Sequence, residues 1–169
     1  MKISMMLAAA LLAGWFCNRY LEGLPWRALG LTLHTGWLRD LLIGSLVGIV
    51  SLLIAVGVAV LGGGLKFSLN VDGVFVIARS LVGTAVLFVV AALAEEAIFR
   101  GYALQTLTRA HLVWVGILLT SVPFGIGHLW NPNVVPFVTF ANTAIAGAWL
   151  AVAYLRTRSL WFPLGVHWA

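Results

Sequence analysis

Apolar residues in this chain come in long unbroken runs separated by short polar breaks. They do not alternate, and they do not recur on a single helical face. Leu41 to Leu61 contains no charged residue, about the 20 positions a helix needs to cross the hydrocarbon core of a bilayer. Gly62-Gly63-Gly64 ends that run, and Lys66 to Arg79 reads as a mixed loop before a second run, Ser80 to Leu107. Between Ala110 and Leu155 there is no Asp, Glu, Lys or Arg, roughly twice the length of one span. Asn131-Pro132-Asn133 with Pro136 marks the break between two helices there.

Met1 to Phe16 resembles a signal peptide, but Asn18-Arg19-Tyr20-Leu21-Glu22 is too bulky and charged for a cleavage site, so a short first membrane helix is expected. Arg19 to Asp40 is interrupted by Pro25 and several glycines, with Trp26 and Trp37 suited to the headgroup level. It reads as an interfacial segment with a short surface helix around Trp37 to Leu41, and His34 as a histidine facing solvent or headgroups. Ser159 to Ala169 begins a last apolar segment too short to cross. The expected fold is all-α, a single transmembrane domain over 1–169, with about five full spans and a truncated last helix.

Composition agrees with the pattern. Hydrophobic residues make up 62% of the 169 residues and charged residues 9%, against about 25% charged in soluble domains. The net charge of +5 is spread over connecting segments, with no cluster dense enough for nucleic acid. Its natural partner is the lipid bilayer. Arg19, Arg27, Arg39, Arg109, Arg156 and Arg158 fall on one side, and Lys2, Lys66 and Arg79 on the other. The positive-inside bias then places the 19–40 loop in the cytoplasm, in a cell membrane. Cys17 is the only cysteine, which excludes an intrachain disulfide and a Cys-based zinc motif.

Against that background one stretch stands out, Ala94-Glu95-Glu96-Ala97-Ile98-Phe99-Arg100-Gly101. Two carboxylates inside an apolar run cost roughly 2.5–3.5 kcal/mol each on insertion scales, and such residues mark functional sites by default. On a helix Glu96 and Arg100 share a face in the favourable order, while Glu95 points about 100° away without a partner on its own helix. One carboxylate is thereby neutralised and its neighbour left available as a general base. The competing reading is a buried ion-pair cluster that only locks helices together.

Two more polar groups lie at membrane depth. His128 closes Phe124-Gly125-Ile126-Gly127-His128, after a kink expected at Pro123, and His167 closes Pro163-Leu164-Gly165-Val166-His167. Two histidines and a carboxylate, His128, His167 and Glu95, can hold zinc with a position open for water. A metal-free site is equally compatible, with Glu95 and His128 activating a water and His167 donating to the developing oxyanion. Either scheme hydrolyses an amide or ester in the membrane. Glu95 and His128 meet only if the turn near Thr108 lies flat or the helix carrying His128 starts after Leu112, and the latter is expected, helped by the kink at Pro123.

Glu95-Glu96-x-x-x-Arg100, Phe124-x-x-x-His128 and a histidine opening a further helix resemble the motif series of the CPBP intramembrane proteases. That family includes the type II CAAX prenyl endopeptidases and the Abi bacteriocin-immunity proteins. Phe99-Arg100-Gly101-Tyr102 and Tyr154 to Trp161 fit as well, so the resemblance covers about 80–169, a CPBP-like catalytic region. It implies a peptidase with Glu95, His128 and His167 as catalytic residues, supported by Glu96, Arg100 and Phe124. The family is treated both as zinc metalloproteases and as metal-free glutamate proteases, and its substrates are peptides or membrane proteins. Its pattern continues to an asparagine four positions beyond His167, past Ala169. Asn142 is the nearest substitute in the sequence, and an interhelical hydrogen bond is the expected role for it. Two other readings stand beside the protease: a non-cleaving immunity or scaffold protein of the same family, and a small transporter or proton relay, since buried Glu and His residues also mark such paths. The transporter would require two related halves, and the sequence has no such symmetry.

Overall fold

The computed structural model describes residues 2–68 and 73–169. Within them every regular element is a helix: α1 (Lys2–Leu21), α2 (Trp37–Leu61), α3 (Val74–Ile98), α4 (Leu104–Arg109), α5 (Val113–Gly127), α6 (Pro136–Thr157) and α7 (Trp161–Trp168). A π-helical turn, Phe99–Ala103, joins α3 to α4 without a break, and 3-10 turns occupy Trp26–Leu29 and His128–Trp130. Four helical stretches among the described residues are long and apolar enough to cross a membrane: Trp37–Leu61, Val74–Arg109, Val113–Trp130 and Pro136–Thr157. The chain is an integral membrane protein. Bulky apolar side chains such as Leu42, Leu53, Val82 and Leu118 point outward, as they do where the surroundings are lipid.

Several boundaries differ from the sequence expectation, each for a physical reason. The first helix runs through Arg19 to Leu21, because a basic residue is favourable in a helix's last turn. No separate surface helix forms at 37–41. Gly36 takes φ +101° and turns the chain straight into α2, whose first turn already contains Trp37. α3 begins at Val74 rather than Ser80, since an exposed Arg79 near a helix end can extend its charge toward water. The remainder of the expected 66–79 loop includes residues 69–72, outside the described part. Two expectations hold: α5 starts at Val113, just after Leu112, and α6 starts at Pro136.

Two close helix contacts fix the interior. α7 lies against α2 where Gly44 and Gly48 face Phe162, Gly165 and Val166, so near that a Cβ at Gly44 would overlap the Phe162 carbonyl. The Gly44–Gly48 pair is thus a packing device. α5 packs on α6, where a Cβ at Gly147 would come within 3.1 Å of Ser121 Cα. Phe124, Leu150 and Val166 form one buried cluster, and Leu104, Ile117, Ala151, Tyr154 and Leu160 the other.

Candidate active site

The site grows from the end of α3. Glu96 and Arg100 are fully buried and joined by Arg100 Nη1–H donating to Glu96 Oε1 at 3.0 Å. The π-turn begins between them, a local widening often seen at functional positions. Arg100 Nη2 donates to the carbonyl of Gly147 at 2.8 Å. Glycine there lets α6 come close enough to present that oxygen. The guanidinium also sits 4.9 Å from the centre of the Phe124 ring. A cation at this depth requires such partners, because an unpaired buried charge is very costly.

α7 adds a third polar group. His167 Nδ1 lies 2.8 Å from Glu96 Oε1, and its Nε2 lies 3.4 Å from Glu95 Oε2. The imidazole therefore bridges the two neighbouring carboxylates. Glu95 lacks a partner on its own helix, as expected, but finds one on α7. α7 in turn has its seat on another helix. α2 supplies it through the glycine contact and through Ser45, whose hydroxyl accepts from Trp168 Nε1 at 3.0 Å.

His128 comes from the end of α5. Its Nδ1 is 2.7 Å from the Phe124 carbonyl. A carbonyl can only accept, so Nδ1 carries the proton and the Nε2 lone pair of the neutral ring is free. The Phe124 ring is the spacer of the site, centred 4.7 Å from His128, 5.6 Å from His167 and 5.5 Å from Phe99. It holds the two histidines apart and covers Arg100.

All three expected catalytic residues, Glu95, His128 and His167, line one cavity of about 470 Å³. Apolar side chains, among them Met6, Phe88, Ile98 and Phe99, form most of the remaining wall. A smaller cavity of about 230 Å³ backs onto the same Phe124, His128 and His167 from the α6 side, beside Thr143 and Trp149. Glu96 and Arg100 lie behind the wall, where they support the site without lining it. The arrangement offers a largely buried carboxylate that still reaches the cavity, a histidine lone pair and a second histidine around a space large enough for a peptide segment.

Zinc needs three converging donors plus water. Among the described residues no three His, Cys, Asp or Glu side chains gather in that way, and both nitrogens of His167 already face carboxylates. As arranged, the residues do not fit the ion.

Three features escaped the sequence reading. Asn131, read there only as part of a helix break, lines the main cavity. Asn142, expected to make an interhelical bond, is exposed on α6. His34 is not merely a headgroup residue: its Nε2 is 3.1 Å from Ser159 Oγ and 3.6 Å from Asp40 Oδ2. The Asn-Pro dipeptide so soon after His128 was the available signal for Asn131. Nothing in the sequence marks the other two.

Compared with known proteins, residues 77–169 match the family model described as type II CAAX prenyl endopeptidase Rce1-like, more than half of the chain. No curated protein and no solved structure matches.

Proposed function

The chain belongs to the type II CAAX prenyl endopeptidase Rce1-like family, and from this we propose that it is an intramembrane endopeptidase driven by a glutamate-activated water. A family of this kind acts on peptide substrates in a membrane setting. The observation that carries the mechanistic reading is the convergence of Glu95, His128 and His167 on one mainly apolar cavity.

Water in that cavity lies between the Glu95 carboxylate and the His128 Nε2 lone pair, both acceptors, which orient it and draw off a proton. The oxygen attacks the scissile carbonyl carbon. Glu95 takes the proton and passes it to the leaving nitrogen as the C–N bond breaks, leaving a new carboxylate and a free amine. His167, held by Glu96, presents an N–H to the oxyanion as it forms, an interaction worth about 10²–10³ in rate. Glu96 and Arg100 cancel each other's charge and fix that imidazole. No step needs a metal. The peptide substrate and the cytoplasmic placement of the 19–40 loop belong to the same proposal.

The test is cleavage of a farnesylated peptide ending in a CAAX sequence, and of an unprenylated apolar peptide of equal length, by purified protein in lipid nanodiscs. Glu95→Gln keeps the shape of the side chain and removes the base. Cleavage should drop by at least about 10² with an unchanged melting temperature, and wild-type cleavage should persist after exhaustive chelation. Full cleavage by Glu95→Gln sinks the mechanism, and a wild-type protein that cleaves neither peptide favours a non-cleaving binder. Loss on chelation sinks the metal-free version.

A further inference from the structure

The mechanism leaves one polar residue of the main cavity unused. Of the twelve described residues lining it, only Glu95, His128, Asn131 and His167 have polar side chains able to donate or accept strongly. Three of these ionise and are assigned to the chemistry. Asn131 is the single neutral amide on that wall, able both to donate through Nδ2–H and to accept through Oδ1. A peptide entering a largely apolar cavity brings backbone N–H and C=O groups out of water, and each is costly unless it is hydrogen-bonded again. The catalytic groups can serve only the bond being cut. The neighbouring peptide units need another partner.

The chain holds Asn131 in place for such a task. Its N–H donates to the His128 carbonyl at 3.2 Å, closing the 3-10 turn. Pro132 follows, which disfavours helical backbone at Asn131, and the residue is extended at φ −70°, ψ 148°. The backbone of Asn131 is therefore fixed relative to that of His128, and its side chain springs from a set position on the cavity wall.

We propose that Asn131 is a substrate-binding residue whose side-chain amide grips the backbone of an extended peptide beside the scissile bond. The proposal rests on the peptidase reading above, and main-chain hydrogen bonding of this type gives affinity with little dependence on side-chain identity.

The test reads binding rather than cleavage. Affinity for a fluorescent farnesylated CAAX peptide is measured with the full chain carrying Glu95→Gln, with and without Asn131→Ala or Asn131→Asp. Asn131→Ala should weaken binding about threefold to tenfold, the loss of one neutral hydrogen bond. Asn131→Asp, which removes the donor but keeps the shape, should weaken it at least as much. With a peptide whose amides flanking the cleavage point are replaced by esters, Asn131→Ala should cost little, because the bond partner is already altered. Equal affinity with and without Asn131→Ala overturns the proposal, as does an equal loss for amide and ester peptides, which would mark a purely structural role. If Glu95→Gln still cleaves, the role given to Glu95 fails while the affinity comparison still decides the role of Asn131. Absence of binding by every variant overturns both.

Discussion

Replacing Gly44 by alanine tests whether the seat of α7 on α2 governs the site. A Cβ there would overlap the Phe162 carbonyl oxygen and lie 3.0 Å from its carbon and 3.2 Å from Gly165 Cα. These are backbone atoms of α7, and no flexible side chain can move aside for them. On the facing surface, a Cβ at Gly165 would meet the Leu41 carbonyl and the Ser45 nitrogen. Each helix is therefore already as near the other as its backbone allows. To restore an ordinary contact of 3.4–4 Å, α7 must withdraw by about 1 Å, and a misplacement of that size can cost about 10² in rate. His167 travels with α7, so its contacts of 2.8 Å to Glu96 and 3.4 Å to Glu95 lengthen together. Overpacking of this kind also costs about 1–3 kcal/mol of stability.

Gly57→Ala is the matched control. It lies on the same helix, and nothing approaches its Cβ position within 4 Å, so the change should stabilise by about 0.4–1 kcal/mol through the unfolded chain alone. Peptide cleavage in nanodiscs and thermal unfolding followed by tryptophan fluorescence read the two effects separately. Gly44→Ala should lose about 10² in kcat and melt lower, while Gly57→Ala keeps its activity. A Gly44→Ala protein as active as Gly57→Ala would show that α7 is not positioned through this contact.

Other changes probe the charges. Glu96→Gln strands Arg100 in the interior and should destabilise by about 3–5 kcal/mol; the double change Glu96→Gln with Arg100→Met should recover much of the melting temperature but not the activity, since His167 loses its charged anchor either way. At the membrane edge, burial acts to raise the pKa of the Glu22 carboxyl, but the hydrogen bond from Thr106 and the Arg109 guanidinium outweigh it and hold the value below the ordinary 4.5. With a folded value below the unfolded one, this clamp contributes fully above the ordinary carboxylate range and is lost as pH falls through the lowered value, so the melting temperature should fall on acidification with a slope that is shallower in Glu22→Gln.

What could be read in the sequence follows from which physical signals are local. A bilayer demands a continuous apolar stretch, so the α2 span and the break at Asn131–Pro136 are visible from composition alone. The Glu96–Arg100 pair is visible because four residues on a helix return to the same face. By contrast, His167 reaches both glutamates across 71 and 72 positions, and periodicity carries no information at that range. The sequence offers it as an oxyanion donor or a zinc ligand in the same site, whereas its ring bridges the two carboxylates. The glycine at 147 reads as an ordinary small residue, and only the fold reveals that its carbonyl holds Arg100. Arg109 is exposed at the end of α4, and its bond to Glu22 at 2.6 Å joins segments that share no pattern.

The expected catalytic side chains all lie in the half of the chain that matches the family, yet that half does not hold them in place by itself. α7 carries His167 into the site. What defines its position is the first half: Gly44, Ser45 and Gly48 beneath it, and at its start Thr32, whose carbonyl accepts from Trp161 Nε1 at 2.9 Å. Trp37 stacks near the same indole at 4.9 Å between ring centres, and His34 bonds Ser159 just before the helix begins. From α1, Met6 completes the cavity wall. The motif residues carry the chemistry, but the distance between His167 and the two glutamates is set by α2 and the 22–36 connection. A family can keep its motifs in one half and still depend on the other half for geometry, because a hydrolytic site tolerates an error of about one ångström far less readily than a change in the residues that merely fill space.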